Sequence, residues 1–252
     1  MKFELLIIIG VFLALTGCAS FEAQNTAARG NVTSQNEVLL SLAADNSFSI
    51  KRTEPINRGL KTTYKLNGDS SAVKLGGNVA LYRVFKLQPF TSPYFVEILP
   101  SFDRVGTNIM ASTFSSLTLL LGVSYLDESG VVIKSIVPKY VFDQDRYFSL
   151  AGEFGYAAIC DARVKFLAIH GIPATYGVKR ELMTESYTQY GTMNALNQFY
   201  YGAMGEFRLG VPEKAVGKQI FGADSVVLPC QKPEVTLEDF SKKLRLLGKR
   251  KP

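Results

Sequence analysis

Leu117, Leu119, Leu121, Val123 and Tyr125 occupy every second position over nine residues. That spacing puts one apolar stripe on one face of an extended chain, and the stripe must be buried against a second layer. Asp127-Glu128-Ser129-Gly130 follow as a turn cluster, and Val131 to Val137 return as a second strand, so the pair predicts a β-hairpin. Further strands are expected at Thr62–Leu66, Val79–Leu87, Tyr94–Leu99, Tyr147–Leu150 and Val164–His170, separated by Gly, Pro, Asn and Asp breaks. Hydrophobic residues make up 47% of the 252-residue chain, enough for a sizeable core, which excludes wholesale disorder. Seventeen Phe, twelve Tyr and no Trp, with 21 Gly and 10 Pro, favour strands and turns. The expected fold is mainly β: an antiparallel β-sandwich over residues 34–175, with peripheral helices and a C-terminal amphipathic helix.

The N-terminus carries a different pattern. Leu5 to Leu15 is an unbroken run of apolar residues or Gly, eleven long, behind Lys2. A span of the hydrocarbon core needs about twenty residues, so the run fits the hydrophobic region of a signal peptide instead. It ends at Leu15-Thr16-Gly17-Cys18, which resembles the bacterial lipobox. That resemblance implies cleavage before Cys18, a diacylglyceryl thioether on its thiol, and a fatty acyl group such as palmitate on the new amino terminus. Several acyl chains hold a protein stably where one holds it marginally. Ala19 follows, where such signals associate Asp with inner-membrane retention, so the expected location is the periplasmic face of the outer membrane. An ordinary secretory signal with a chance Cys is the alternative.

Residues 1–17 therefore read as a signal peptide and 18–33, small and polar, as a tether. Ser34 and Glu37 have capping-box spacing ahead of Val38, Leu39, Leu40 and Leu42, which predicts a short helix ending before Asp45. Residues 176–235 read as a mixed α/β extension packed on the sandwich, helix-friendly over Met193–Tyr201 and strand-like at Glu206–Val211 and Val226–Leu228. In 236–252, Thr236 is a candidate cap, and Leu237, Phe240, Leu244 and Leu247 recur on one helical stripe. Residues 241–252 hold six basic residues and no acid, which accounts for the whole +6 net charge. A neutral body with a basic tail is unlike the spread basic face of a nucleic-acid binder. Lys249, Arg250 and Lys251, beyond the Gly248 stop, read as an electrostatic tail for an anionic surface.

Three cysteines are present, and Cys18 is assigned to lipid. Cys160 and Cys230 remain as one even pair, expected to form a disulfide in an exported protein, with two buried thiols as the alternative. Their spacing excludes a CxxC redox or zinc motif.

Several segments are similar to the maltose operon periplasmic protein family: the helix near Val38–Ala44, Gly77-Asn78-Val79-Ala80-Leu81-Tyr82-Arg83-Val84, Tyr94-Phe95-Val96-Glu97-Ile98, Val123-Ser124-Tyr125-Leu126-Asp127 with Pro138 and Tyr140, and Val164-Lys165-Phe166-Leu167-Ala168-Ile169. The resemblance covers residues 34–170 and lies in strand order and spacing. It implies a periplasmic protein associated with carbohydrate uptake, without an established catalytic site.

The residues themselves offer little chemistry. His170 is the sole histidine, and no GxSxG element accompanies it. It reads as a core or edge histidine, with a hydrolase built on it and an acid as the third-ranked function. Asp143-Gln144-Asp145 lacks the Gly and distal Glu of an EF-hand. Glu97 reads as a solvent-face residue. Tyr187, Tyr190, Tyr200 and Tyr201, with Phe199, form an aromatic concentration, in which ring packing is the default and ligand contact the candidate role. No metal site, cofactor or catalytic residue is expected. The leading function is a lipid-anchored periplasmic binding or accessory protein whose partners are the membrane through Cys18 and an envelope protein or carbohydrate. A cell-envelope structural or assembly lipoprotein is the alternative.

Overall fold

The computed structural model describes residues 23–59, 62–108, 113–138, 140–142, 153–188, 191–212, 230 and 235–236. The signal region with Cys18, the strands expected at Tyr147–Leu150 and Val226–Leu228, the Asp143-Gln144-Asp145 loop, Tyr190, the helix expected over Leu237–Leu247 and the tail Lys249, Arg250 and Lys251 lie outside them.

Residues 23–41 form one helix, α1. Ala28, Val32 and Leu39 are its buried positions, lying on one face with Gln35 between them at helical spacing. The sequence places a tether over 18–33 and a helix from Ser34; α1 instead begins at least eleven residues earlier. Ala and Gln are strong helix formers, but two small buried side chains make too faint a stripe to stand out from a polar linker.

Sixteen strands follow: β1 Thr53–Pro55, β2 Thr63–Leu66, β3 Ser71–Leu75, β4 Asn78–Lys86, β5 Tyr94–Pro100, β6 Asp103–Asn108, β7 Thr113–Thr118, β8 Leu121–Leu126, β9 Val132–Val137, β10 Val141–Phe142, β11 Glu153–Ile159, β12 Phe166–Gly171, β13 Lys179–Thr188, β14 Gly191–Tyr201, β15 Gly205–Gly210 and β16 Val235–Thr236. They make a seven-stranded sheet ordered β1-β4-β12-β8-β9-β16 with β3 also on β4, a five-stranded sheet β10-β11-β5-β15-β2, and a four-stranded sheet β13-β14-β7-β6. Pairing is antiparallel except between β1 and β4 and between β14 and β7. The architecture is mainly β and sandwich-like.

The principal core fills the space between the first two sheets. Leu81, Phe85, Leu121, Val123, Tyr125, Leu167 and Ile169 of the first meet Tyr64, Leu66, Val96, Ile98, Ile159, Phe207 and Leu209 of the second. Tyr64 and Phe85 cross edge-to-face with ring centroids 4.8 Å apart. The opposite face of the seven-stranded sheet is also covered, because Phe48 packs over Val73, Ala80, Tyr82, Val84, Leu126 and Ala168, with Ile50 beside it. The segment carrying Phe48 is pinned at Asp45, whose N–H donates to the Ala72 carbonyl and whose carbonyl accepts from Lys74.

This double coverage corrects the reading of Leu117–Tyr125 as one half-buried strand. β7 stops at Thr118 in the four-stranded sheet, and β8 starts at Leu121 in the seven-stranded one. Every residue from Ser116 to Leu126 is buried. β8 is buried on both faces, the second carrying Gly122, Ser124 and Leu126, so alternation does not mark a solvent face there. The hairpin of β8 and β9 forms as expected. At its turn the Asp127 carboxylate accepts from the Ser129 hydroxyl and from the N–H groups of Ser129 and Val131.

Met193–Tyr201 is strand rather than helix, part of β14 and paired along its length with β13. Its Met, Ala, Leu and Gln residues suit a helix and its Phe and Tyr residues a strand, and pairing on both sides, to β13 and β7, decides the outcome. The boundary expected near residue 175 does not separate the sheets either: β15 lies between β5 and β2, and Phe207 and Leu209 fill the principal core. Thr236 sits in β16 opposite Ile136.

Candidate functional site

A buried polar chain runs through His170. In β12 His170 lies opposite Tyr82 of β4 and Gly122 of β8. Gly122 is what admits the ring, since a Cβ there would stand 2.5 Å from the imidazole Cε1. Phe48 closes the other side, stacked on the imidazole with centroids 5.6 Å apart and meeting Tyr82 edge-on. His170 and Ser124 are both 0% exposed.

The hydrogen bonds have a direction. His170 Nδ1 is 2.9 Å from the carbonyl of Gly171, which only accepts, so Nδ1 carries the proton. Nε2 is then an acceptor, and Ser124 Oγ, 3.1 Å away, donates to it. Ser124 has no second proton, so Ser135, 2.7 Å away, donates to Ser124. The chain runs from half-buried Ser135 inward to the Gly171 carbonyl. Burial pushes the His170 pKa down to about 4, opposed by the Gly171 carbonyl, and the ring is neutral at pH 7.

A serine bonded to a histidine is half of a nucleophilic triad. Here the second ring nitrogen meets a backbone carbonyl rather than a carboxylate, and neither residue is exposed to a substrate. The arrangement satisfies buried polar groups within a sheet, which is what such groups require to be tolerated there.

Glu97 is not on a solvent face. It is 6% exposed and accepts from the Tyr156 hydroxyl at 3.1 Å. In register it lies between Tyr156 of β11 and Gly210 of β15. Sequence offers no sign of this, because a single polar residue in an alternating strand reads as outward-facing.

Tyr200 and Tyr201, candidates for ligand contact, are both in cores. Tyr200 packs with Ala28, Val32 and Leu117, and Tyr201 with Leu120, Val137 and Ile172. Adjacent in β14, they fall on opposite faces and cannot form one platform. The Tyr201 hydroxyl accepts from Arg180 at 3.2 Å, whereas the buried Tyr200 hydroxyl has no hydrogen-bond partner among the described residues. Tyr187 lies in β13 opposite Thr192 of β14.

Cys160, just beyond β11, and Cys230 are brought to disulfide distance, with Cα atoms 5.8 Å apart and a sequence separation of 70. Among the described residues, no three metal-ligating side chains cluster, and no helix is long and apolar enough to cross a membrane. No family model, curated protein or solved structure matches the chain.

Proposed function

We propose that the chain is a lipid-anchored, non-catalytic binding or accessory protein of the bacterial cell envelope, held on the periplasmic face of the outer membrane by acyl chains at Cys18. The observation that carries this reading is Leu15-Thr16-Gly17-Cys18 at the end of an apolar run too short to span a bilayer. The approach of Cys160 and Cys230 supports it, because disulfides persist in compartments outside the reducing cytosol. Burial of the sole histidine as a neutral, internally bonded group weighs against a hydrolase built on His170. The resemblance of residues 34–170 to the maltose operon periplasmic protein family, in strand order and spacing, is what supports carbohydrate uptake as the associated process. The basic end at Lys249, Arg250 and Lys251 supplies a salt-sensitive attraction to anionic lipid or to an acidic partner.

The test is fractionation of cells expressing wild-type protein and Cys18→Ala, together with glycan binding by the purified protein. Wild-type protein in the outer-membrane fraction, a displaced or uncleaved Cys18→Ala variant and saturable glycan binding support the reading. Wild-type protein recovered without membrane association removes the anchor. A stable envelope complex without glycan binding replaces carbohydrate uptake with the assembly role.

A further inference from the structure

The distance between the lipid-bearing cysteine and the folded body is short. Only four residues separate Cys18 from the first described residue of α1. Five consecutive Cα steps span at most about 19 Å. A tether reaching to residue 33 would let the body swivel above the bilayer, but α1 is fastened along its length. Ala28 and Val32 pack on Leu117 of β7 and Tyr200 of β14. One turn on, the Gln35 side-chain oxygen accepts the N–H groups of Ala203 and Met204. Leu39 then enters the principal core between the two larger sheets. From Ala28 to Leu39 the helix advances about 16 Å, so its early turns lie on the four-stranded sheet and its last turn reaches the sandwich.

We propose that the start of α1, with the adjoining corner of the four-stranded sheet, is the membrane-facing side of the protein, and that its partner is the lipid headgroup layer. The proposal rests on lipidation of Cys18. It follows from the docking of the helix: with the anchor within about 19 Å of residue 23, the start of α1 and the Leu117–Tyr200 end of the four-stranded sheet on which it packs are held nearest the bilayer. The cation facing the lipid there is Arg29, exposed and with its guanidinium 6.0 Å from the Tyr200 ring centroid; Lys179, opposite Tyr200 in register, is neutralised by Glu181 at 2.6 Å. The chain leaves the four-stranded sheet at Thr118, enters β8 at Leu121 and ends it at Leu126, a strand about 17 Å long, and the exposed turn at Glu128 beyond it is the distant reference position.

The experiment uses the lipidated full-length protein in vesicles of phosphatidylethanolamine and phosphatidylglycerol containing a headgroup-labelled quencher lipid. Ala27 and Glu128 are both exposed. Ala27→Cys and Glu128→Cys each add one thiol for a fluorophore, while Cys18 is acylated and Cys160 and Cys230 are paired. The expected result is several-fold stronger quenching at Ala27 than at Glu128. A flexible insertion of about twenty Gly and Ser residues after Ser20 should abolish that contrast, since it adds a reach of about 25 Å. Equal quenching at both positions in the uninterrupted protein, or stronger quenching at Glu128, would overturn the orientation while leaving the anchor intact. The mass of the N-terminal peptide, measured on the same preparations, separates the two failures: a peptide without acyl mass at Cys18 removes the anchor, and the orientation with it.

Discussion

Acid should destabilise this protein through His170 before it reaches Asp161, Asp127 and Glu181. In the folded chain, burial holds the imidazole pKa at about 4 against an ordinary value of 6.5. Between those values the unfolded chain binds a proton that the folded chain refuses, so the stability of the fold falls as pH falls. Each pH unit within the window costs about 1.4 kcal/mol. From pH 7 down to pH 5 the loss is about 2 kcal/mol, because the slope begins only near 6.5. The window is well separated from Asp161, which Arg163 holds at about 2 through a side-chain hydrogen bond. Asp127 and Glu181, both lowered below their ordinary carboxylate values by hydrogen bonding, likewise respond at more acid pH. Urea unfolding at pH 7, 6 and 5 measures the slope directly in wild type and in His170→Gln, with the disulfide kept oxidised. His170→Gln should be less stable throughout yet lose about 2 kcal/mol less over this interval. Ser124→Ala supplies a second check: leaving Nε2 buried without its donor should cost about 2 kcal/mol at pH 7 while retaining a histidine-dependent slope. Identical slopes in wild type and His170→Gln would refute burial of a neutral imidazole.

Gly122→Ala should destabilise by about 2 kcal/mol, since its Cβ would stand 2.5 Å from the His170 ring and the well-packed Phe48 leaves little room for retreat; chemical denaturation checks it, and a neutral effect would mean that the ring is not seated against β8. Gln35→Leu should cost about 2 kcal/mol by leaving the Ala203 and Met204 N–H groups without their acceptor, and hydrogen exchange at those two amides should accelerate. Reduction of the Cys160–Cys230 link, closing a 70-residue loop, should lower stability by about 4 kcal/mol in the chain-entropy model; complete alkylation of both cysteines in unreduced, denatured protein would show that no such link exists.

The fold class was legible because short apolar runs separated by turn residues are a local signal. Asp127 to Gly130 announced the β8–β9 hairpin, and Val79–Leu87 and Tyr94–Leu99 marked β4 and β5 to within a residue. What remained hidden depends on pairing between distant segments. Nothing in Met193–Tyr201 states that β13 and β7 flank it. Nothing in residues 23–33 states that Leu117 and Tyr200 wait for Ala28 and Val32. The same holds at the candidate site. His170 was visible as the sole histidine, but Ser124 and Gly122 become its neighbours only through the register of β12 with β8, and Phe48 only through the segment crossing the outer face. Tyr200 and Tyr201 read as one aromatic group because they are adjacent in sequence, and strand geometry divides them between two cores.

The central claim is a covalent one, that Cys18 carries lipid, and mass spectrometry of the mature N-terminal peptide from native membranes tests it most directly. The expected product begins at Cys18 and carries a diacylglyceryl group on its sulfur and an acyl chain on its amino group, with label incorporated from a fatty-acid analogue. A mature protein that retains residues ahead of Cys18, or begins elsewhere with an unmodified Cys18 thiol and no label, would contradict it.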